Sequence, residues 1–222
     1  MAIIINIDST IETASVSIAE NGNILKHATN IIQKQHAAFI HVSIKNLLAE
    51  LKISIKNIDA VATTIGPGSY TGLRVCLAAA KGLCYALNKP LITIGTLEAM
   101  AKATFLNIKN NNHYFYCPMI DARRMEVYTA LYNEKLEEII PPHAIIINEQ
   151  FGSSFLNKQE VLFFGSGMQK FKNLNISVNA VFEKMPIITN AINLLSYDKY
   201  CGELFADVAT SSPLYTKEFY NL

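Results

Sequence analysis

The chain has 222 residues, of which 50% are hydrophobic and 17% are charged, and its formal net charge is +1. This length suits one large domain or two small ones, and the near-neutral charge excludes an overall basic field that would make the chain by itself the main RNA-binding surface. So little charge predicts that some apolar surface meets another chain.

The first half of the chain alternates strands and helices. Period-two apolar residues predict a three-stranded meander at 3–7, 13–19 and 24–29. Later elements are predicted at 35–51 (helix), 59–65 (strand), 72–87 (helix), 90–94 (strand) and 96–105 (helix). This β-β-β-α-β-α-β-α order is that of the ribonuclease H-like unit, so we expect an α/β fold of the actin-like (ASKHA) class, although other α/β folds would also suit it.

The sequence pattern of the second half of the chain indicates a second, smaller subdomain. The polar run 107–112 is typical of a linker, so we expect one subdomain over 1–106 and a reduced one over 107–222. Strands are predicted at 113–120, 125–132 and 161–164, and a last helix, which we expect to pack back on the first subdomain, at 187–205. Pro141 and Pro142 remove two ladder donors, so we expect them to interrupt the sheet before a short edge strand at 144–147.

A glycine-rich turn follows the strand 59–65 and opens a helix at Thr71 or Gly72. Strand, loop and helix in this order present backbone N–H groups to an anion, so the turn is a candidate nucleotide or phosphate loop. The candidate residues are Gly66, Pro67, Gly68, Ser69, Thr71 and Gly72. The spacing is neither a Walker loop nor Gly-x-Gly-x-x-Gly, and a tight turn with a helix cap explains it equally well.

The helices at 35–51 and 72–87 each carry two apolar faces. One stripe of large residues suits packing on a sheet, and the other consists mostly of small residues. The second stripe contains Ala38, Phe39, Val42 and Ala49 on the first helix, and Val75, Ala78, Ala79, Gly82 and Ala86 on the second. A helix that is apolar nearly all round is buried on two sides, so this stripe faces either a partner chain or the chain's own second half.

Polar side chains offer few candidates for catalysis. Asp8 ends the first strand, where a carboxylate either orients a metal or water or caps a turn. His36 and His41 lie about 140° apart on a helix, so they do not form a metal-binding i, i+4 pair. No Ser-His-Asp order or nucleophile elbow stands out, so we predict no catalytic residue and no metal site.

A charged cluster separates two predicted strands of the second half and consists of Asp121, Arg123, Arg124 and Glu126. A hairpin turn with solvated side chains explains this spacing. The alternative is a cluster that serves assembly or activity.

The cysteines and the N-terminus indicate the compartment. Cys76, Cys84, Cys117 and Cys201 form no Cys-x-x-Cys pair and lie in apolar patterns, so we expect buried thiols in a reducing environment. Residues 1–5 lack a basic segment and a cleavage site, and no apolar run reaches the ~18 residues of a membrane span. We expect a soluble, cytoplasmic protein that makes no membrane contact.

Three motifs in the sequence indicate the protein family. They are Gly66-Pro67-Gly68-Ser69-Tyr70-Thr71-Gly72-Leu73-Arg74, Asp121-Ala122-Arg123-Arg124-Met125-Glu126-Val127-Tyr128 and Pro213-Leu214-Tyr215. Together they resemble the bacterial TsaB (YeaZ) family, and the resemblance spans nearly the whole chain. It implies an actin-like fold with a reduced second half. It also implies a role, with TsaD, TsaE and TsaC-type proteins, in making N6-threonylcarbamoyladenosine (t6A) at position 37 of tRNAs that read codons starting with A.

The same resemblance implies that this chain is not the catalyst. The paralogue TsaD follows its equivalent loop and helix with Asn-His-x-x-Gly-His, whose two histidines hold a metal. Thr96 and Met100 stand at those positions here, and neither replaces an imidazole as a ligand for iron or zinc.

We therefore expect an accessory subunit that is not an enzyme, has no cofactor of its own and pairs with TsaD. TsaE would join the complex, ATP and a metal would lie on the partner subunits, and tRNA would bind through the complex. The same surface would serve a homodimer of the free chain. The alternative function is an independent ATP-dependent small-molecule kinase of the actin-like superfamily, or a peptidase, for which the sequence offers no metal pair or nucleophile.

Overall fold

The computed structural model describes residues 1–32, 36–108, 113–148, 150–152, 156–157, 159–174 and 178–216, with the side chain of His36 excepted. The chain divides into two compact units. The first comprises Met1–Ala99 with Ile188–Leu214, and the second comprises Met100–Ile187 with the residues from Tyr215 onward. The division falls between Ala99 and Met100, whereas the sequence places it after residue 106.

The first unit is built on a five-stranded sheet of order β3-β2-β1-β4-β5. Its strands are β1 (Ile3–Asp8), β2 (Ala14–Glu20), β3 (Asn23–Asn30), β4 (Ala60–Gly66) and β5 (Leu91–Gly95). The first three form the predicted antiparallel meander, and β4 and β5 run parallel to β1. Its helices include α1 (His36–Leu51), α2 (Tyr70–Leu87) and the first residues of α3 (Thr96–Asn107).

Helices cover both faces of this sheet, which explains why every residue of β1 is buried. Because side chains alternate along a strand, Ile5 and Ile7 face the core that Ile40 of α1 and Leu77 of α2 complete. Asn6 points to the opposite face, where α5 (Thr189–Cys201) packs.

A buried polar network attaches α5 to the sheet. Asn6 Nδ2 donates to Asn193 Oδ1 at 2.8 Å, and Asn193 Nδ2 donates to Ser17 Oγ at 2.9 Å. Asn193 Nδ2 also lies 2.6 Å from the Thr189 carbonyl oxygen, which accepts from it. These bonds explain how a helix from the end of the chain joins the first unit.

The second unit repeats this topology. Its strands are β6 (Phe115–Asp121), β7 (Glu126–Tyr132), β8 (Glu138–Ile146), β9 (Val161–Phe164) and β10 (Ala180–Phe182). The sheet order is β10-β9-β6-β7-β8. As in the first unit, the first strand pairs antiparallel with the next one and parallel with the fourth. Two copies of one ribonuclease H-like sheet confirm the predicted actin-like α/β fold.

The repeat is reduced in size. Strand β10 has 3 residues, and the short helix α4 (Met168–Lys172) has 5. The core gathers aromatic rings around Phe163, whose centroid lies 4.7 Å from Phe171, 5.7 Å from Phe182 and 6.5 Å from Phe151.

The observed bounds of β8 and of the last helix differ from the predicted ones. The expected break into a separate edge strand is wrong, because β8 is one continuous strand at the edge of its sheet. Its register with β7 does shift at Pro141 and Pro142, since Leu131 pairs with Ile140 and Thr129 pairs with His143. The last helix stops at Cys201, and the Ala206 amide instead donates to the Leu91 carbonyl at 2.8 Å.

Residue 35 of the first predicted helix and residues 109–112 of the predicted linker lie outside the described residues. In the part of the chain that the structure describes, no helix is long and apolar enough to cross a membrane.

Candidate functional site

The glycine-rich turn packs directly on the turn between β1 and β2. A Cβ atom on Gly68 would lie 2.3 Å from the Thr10 carbonyl oxygen, and one on Gly72 would lie 1.8 Å from that of Ser9. The Ser69 amide donates to Thr10 O at 2.8 Å. Both glycines are therefore required by the close approach of two backbone segments within the first unit.

The same turn provides the N-cap residue of α2, which is Ser69. Ser69 Oγ accepts from the Gly72 amide at 3.3 Å, and Ser69 O accepts from the Leu73 amide at 2.8 Å. Gly66 has φ 119°, and a Cβ there would lie 2.9 Å from the Leu214 carbonyl oxygen. The capped-turn interpretation thus accounts for three glycines without a ligand. The phosphate-loop interpretation, which also includes Pro67 and Thr71, stays a prediction.

Asp8 is buried beside this turn. Its Oδ1 accepts hydrogen bonds from the Thr10 amide at 3.1 Å, the Thr10 hydroxyl at 2.6 Å and the Thr64 hydroxyl at 2.6 Å. These donors fasten the β1–β2 turn to the end of β4. The geometry is that of a turn cap, one of the two interpretations of this residue.

Three of the four cysteines are buried, as predicted. Burial raises the pKa of Cys84 to about 11 and that of Cys117 to about 12. Burial, followed by the Asp8 carboxylate, also raises the pKa of Cys76, so these thiols stay protonated and poorly nucleophilic at neutral pH. The prediction is wrong for Cys201, which is exposed at the last residue of α5.

Thr96 and Met100 are fully buried in α3. Among the described residues, Thr96 Oγ1 is one of the buried side-chain atoms that lack a hydrogen-bond partner. No group of three or more His, Cys, Asp or Glu side chains in the described ranges could hold a metal ion.

Most of the small-residue stripe lies on the surface of the first unit. Its exposed members are Ala38, Val42, Ala49, Ala78, Gly82 and Ala86, while Phe39 and Val75 are half-buried. Val42 is 58% exposed, and Tyr85 beside the stripe is 85% exposed. A Cβ atom on Gly82 would meet nothing within 4 Å.

Ala79 does not belong to this surface. It is only 7% exposed and is part of the core of the first unit. Helices α1 and α2 contact one another, and a helical wheel does not indicate which edge of a stripe a neighbouring helix covers. The placement of Ala79 in the exposed stripe is therefore wrong.

The charged cluster forms the hairpin turn between β6 and β7, where the Ala122 amide donates to Glu126 O at 3.1 Å. Asp121 Oδ1 accepts from the Arg123 amide at 2.6 Å and from Lys170 Nζ at 2.7 Å. Lys170 also donates to Glu126 O at 2.8 Å. No sequence pattern points to Lys170, which lies 49 residues after Asp121.

The electrostatics of the hairpin follow from these contacts. Partial burial acts to raise the pKa of Asp121, but the hydrogen bonds from Lys170 and the Arg123 amide outweigh it, so the pKa lies below its usual value.

The second unit contains a pocket of about 590 Å³ along β7 and β8. Cross-strand partners such as Thr129 and His143 project to one face of the sheet. The lining residues include Leu131, Ile140, His143, Ile145, Phe151 and, from the charged cluster, Glu126. The sequence does not predict this pocket, because its residues come from three strands, β6, β7 and β8, and from the segment that follows β8.

Comparisons with known proteins agree with this fold. Residues 24–213 match the family model described as TsaD: tRNA N6-adenosine threonylcarbamoyltransferase. The chain is similar to the tRNA threonylcarbamoyladenosine biosynthesis protein TsaB of Bacillus subtilis, with 26% identity over 77% of this chain and 74% of that protein. It is similar to the Haemophilus influenzae protein of the same name, with 35% identity over 55% of this chain and 50% of that protein.

Among solved structures, YeaZ from Pseudomonas aeruginosa superposes with a TM-score of 0.78. The alignment has 20% identity and covers 97% of this chain and 100% of that chain. A likeness at this level of identity concerns the fold.

Proposed function

The chain belongs to the TsaB family, which the TsaD family model also matches, and from this premise we propose that it acts in t6A biosynthesis as a non-catalytic partner of TsaD. In this proposal the complex transfers a threonylcarbamoyl group to adenosine 37 of tRNAs that read codons starting with A. TsaE and tRNA join through the complex, and ATP and the metal lie on the partner subunits.

The observation that carries the partner role is the exposed apolar surface of α1 and α2. Small side chains at Ala78, Gly82 and Ala86 let a partner helix approach closely. Tyr85 is a large exposed aromatic of the kind that anchors protein interfaces. Two helices meeting two helices would form a contact of standard size, ~1,200–2,000 Å².

We infer that TsaD covers this surface. The contact would include Phe39 and Val42 of α1 and Val75 of α2. A homodimer of the free chain would use the same residues, so homodimer and heterodimer would compete.

The non-catalytic assignment rests on side-chain chemistry. If TsaD binds its metal through the histidine pair that the resemblance implies, Thr96 and Met100 offer no equivalent donors. The capped-turn geometry of the glycines supports a structural role for that segment. The comparisons give no support to an independent kinase.

Co-purification tests the partner role. A tagged form of this chain should retain TsaD from the same cell, and the retained complex should contain the two proteins in a defined ratio. If this chain were recovered without TsaD from a cell lysate in which TsaD is abundant, the result would count against the proposal.

A further inference from the structure

The tip of the β6–β7 hairpin carries two arginines whose guanidinium groups have no partner among the described residues. Arg123 and Arg124 are exposed, and the described part of the chain has no hydrogen bond or ion pair to either guanidinium. The neighbouring carboxylate of Asp121 is bonded instead to Lys170 and to a backbone amide. The tip therefore projects positive charge from a chain whose net charge is only +1.

The backbone at the tip is unusual. Arg123 has φ 68° and Arg124 has φ 50°, values in the left-handed region that glycine and asparagine occupy more readily than other residues. Glycine or asparagine would form this turn with less strain. Arginine at both positions thus points to a use for the side chains, since residues in such conformations cluster at functional sites.

The base of the hairpin is held rigidly. Lys170 Nζ bridges Asp121 Oδ1 and Glu126 O, and the Asp121 amide donates to Ser166 Oγ at 3.1 Å. A Cβ on Gly167 would lie 2.8 Å from Val127 Cγ1, so the segment before α4 packs closely on the hairpin. Such support keeps the two arginines in place before a ligand binds.

We propose that Arg123 and Arg124 bind backbone phosphates of the tRNA. A guanidinium presents a planar fork of donors that matches phosphate oxygens in pairs. Phosphate contacts of this type position a nucleic acid without reading its sequence. The inference rests on the proposed function, because the complex brings tRNA to this chain.

The shape of the tip favours RNA over an acidic protein partner. A stable protein contact needs a broad surface with an apolar centre, and this chain offers one on α1 and α2. The hairpin tip has only four residues between β6 and β7, and Met125 is the single large apolar side chain exposed there. Two arginines on so short a turn suit the separated phosphates of a nucleic-acid backbone.

The test uses the complete complex with TsaD and measures tRNA affinity as a function of salt concentration. Replacing both arginines (Arg123→Gln with Arg124→Gln) should weaken binding of all substrate tRNAs alike. The slope of log affinity against log salt should become shallower by about 0.7–0.9 for each phosphate that the variant no longer neutralises.

The control is Lys135→Gln, which removes an exposed charge from the hairpin at the other end of β7. It should leave affinity and slope unchanged, while Arg124→Gln alone should give about half the effect of the double variant. Gel filtration and thermal melting should show intact assembly and folding for every variant.

An unchanged salt slope in the double variant would overturn the proposal. So would a loss of tRNA binding that follows loss of complex assembly, because the arginines would then serve a protein partner. Failure of the proposed function is distinguishable, since transfer would then proceed fully without this chain, whatever the arginine variants do.

Discussion

At the scale of single residues, α2 contains one position that we expect to matter for folding, Ala79, and one that we expect to matter for binding, Gly82. They lie three positions apart in the same apolar pattern, yet Ala79 is in the core while Gly82 has open space beside it. A charge at one position is buried, and at the other it meets water or a partner.

We predict opposite defects for the matched variants Ala79→Glu and Gly82→Glu. Ala79→Glu should lose several kcal/mol of stability because it buries an unpaired carboxylate. Gly82→Glu should fold at least as well as the parent, because glycine within a helix costs up to about 1 kcal/mol relative to alanine, but it should no longer retain TsaD. Thermal denaturation and pull-down measure the two effects. A Gly82→Glu chain that binds TsaD as the parent does would remove this surface from the interface.

Asp121 provides a prediction about pH. Its pKa in the folded protein is lowered, so its contribution to stability is fully present above the unfolded pKa of about 3.9 and disappears as pH falls through the folded value. The carboxylate is 45% exposed, so solvent limits the contribution to about 0.2–1 kcal/mol.

Urea denaturation of the parent and of Asp121→Asn checks this. The stability difference should be constant between about pH 5 and 7 and should shrink below about pH 4. If the difference instead grew on acidification, the ion pair with Lys170 would not be its source.

At the scale of elements, α5 depends on one buried asparagine. Asn193→Ala would leave Asn6 and Ser17 without their shared partner, and each unsatisfied buried group costs about 1–3 kcal/mol. The matched control is Asn190→Ala on the exposed side of the same helix, which should change stability by less than about 0.5 kcal/mol. Equal effects of the two substitutions on the denaturation midpoint would contradict this role of the network.

The sequence predicts most helices and strands, because the spacing of apolar residues within a segment indicates which face of that segment is buried. The meander, β9, α1 and α2 are found close to where the apolar pattern places them. The edge position of β8 and the pairing of Ala206 with Leu91 depend on which strands are neighbours. That information is absent from local patterns, which explains why the predicted proline break and the predicted end of the last helix are wrong.

For the candidate sites too, the sequence predicts some features and misses those that depend on tertiary packing. The sequence locates the charged cluster and the glycine-rich turn, but it does not predict their contacts. Thr10 approaches Gly68 from the β1–β2 turn, and Lys170 approaches Asp121 from α4. In both cases tertiary packing supplies a partner that lies far away in sequence.

At the scale of the whole molecule, two copies of one strand order identify the actin-like class, although this likeness alone assigns no activity. The isolated chain should bind Mg-ATP more weakly than ~1 μM, about −8 kcal/mol, because Thr10 O and Ser69 Oγ already engage amides of the glycine-rich turn. Isothermal titration calorimetry measures this. A dissociation constant near ~1 μM would mean that the turn or another part of the chain forms a nucleotide site.

The most direct test of the proposed role is a threonylcarbamoyl-transfer assay with purified components, in which this chain, TsaD and TsaE are omitted one at a time. We predict that transfer to tRNA is abolished without TsaD and strongly reduced without this chain, that this chain alone transfers nothing, and that Gly82→Glu behaves as an omission. Full transfer in the absence of this chain, or transfer by this chain in the absence of TsaD, would contradict a non-catalytic partner role.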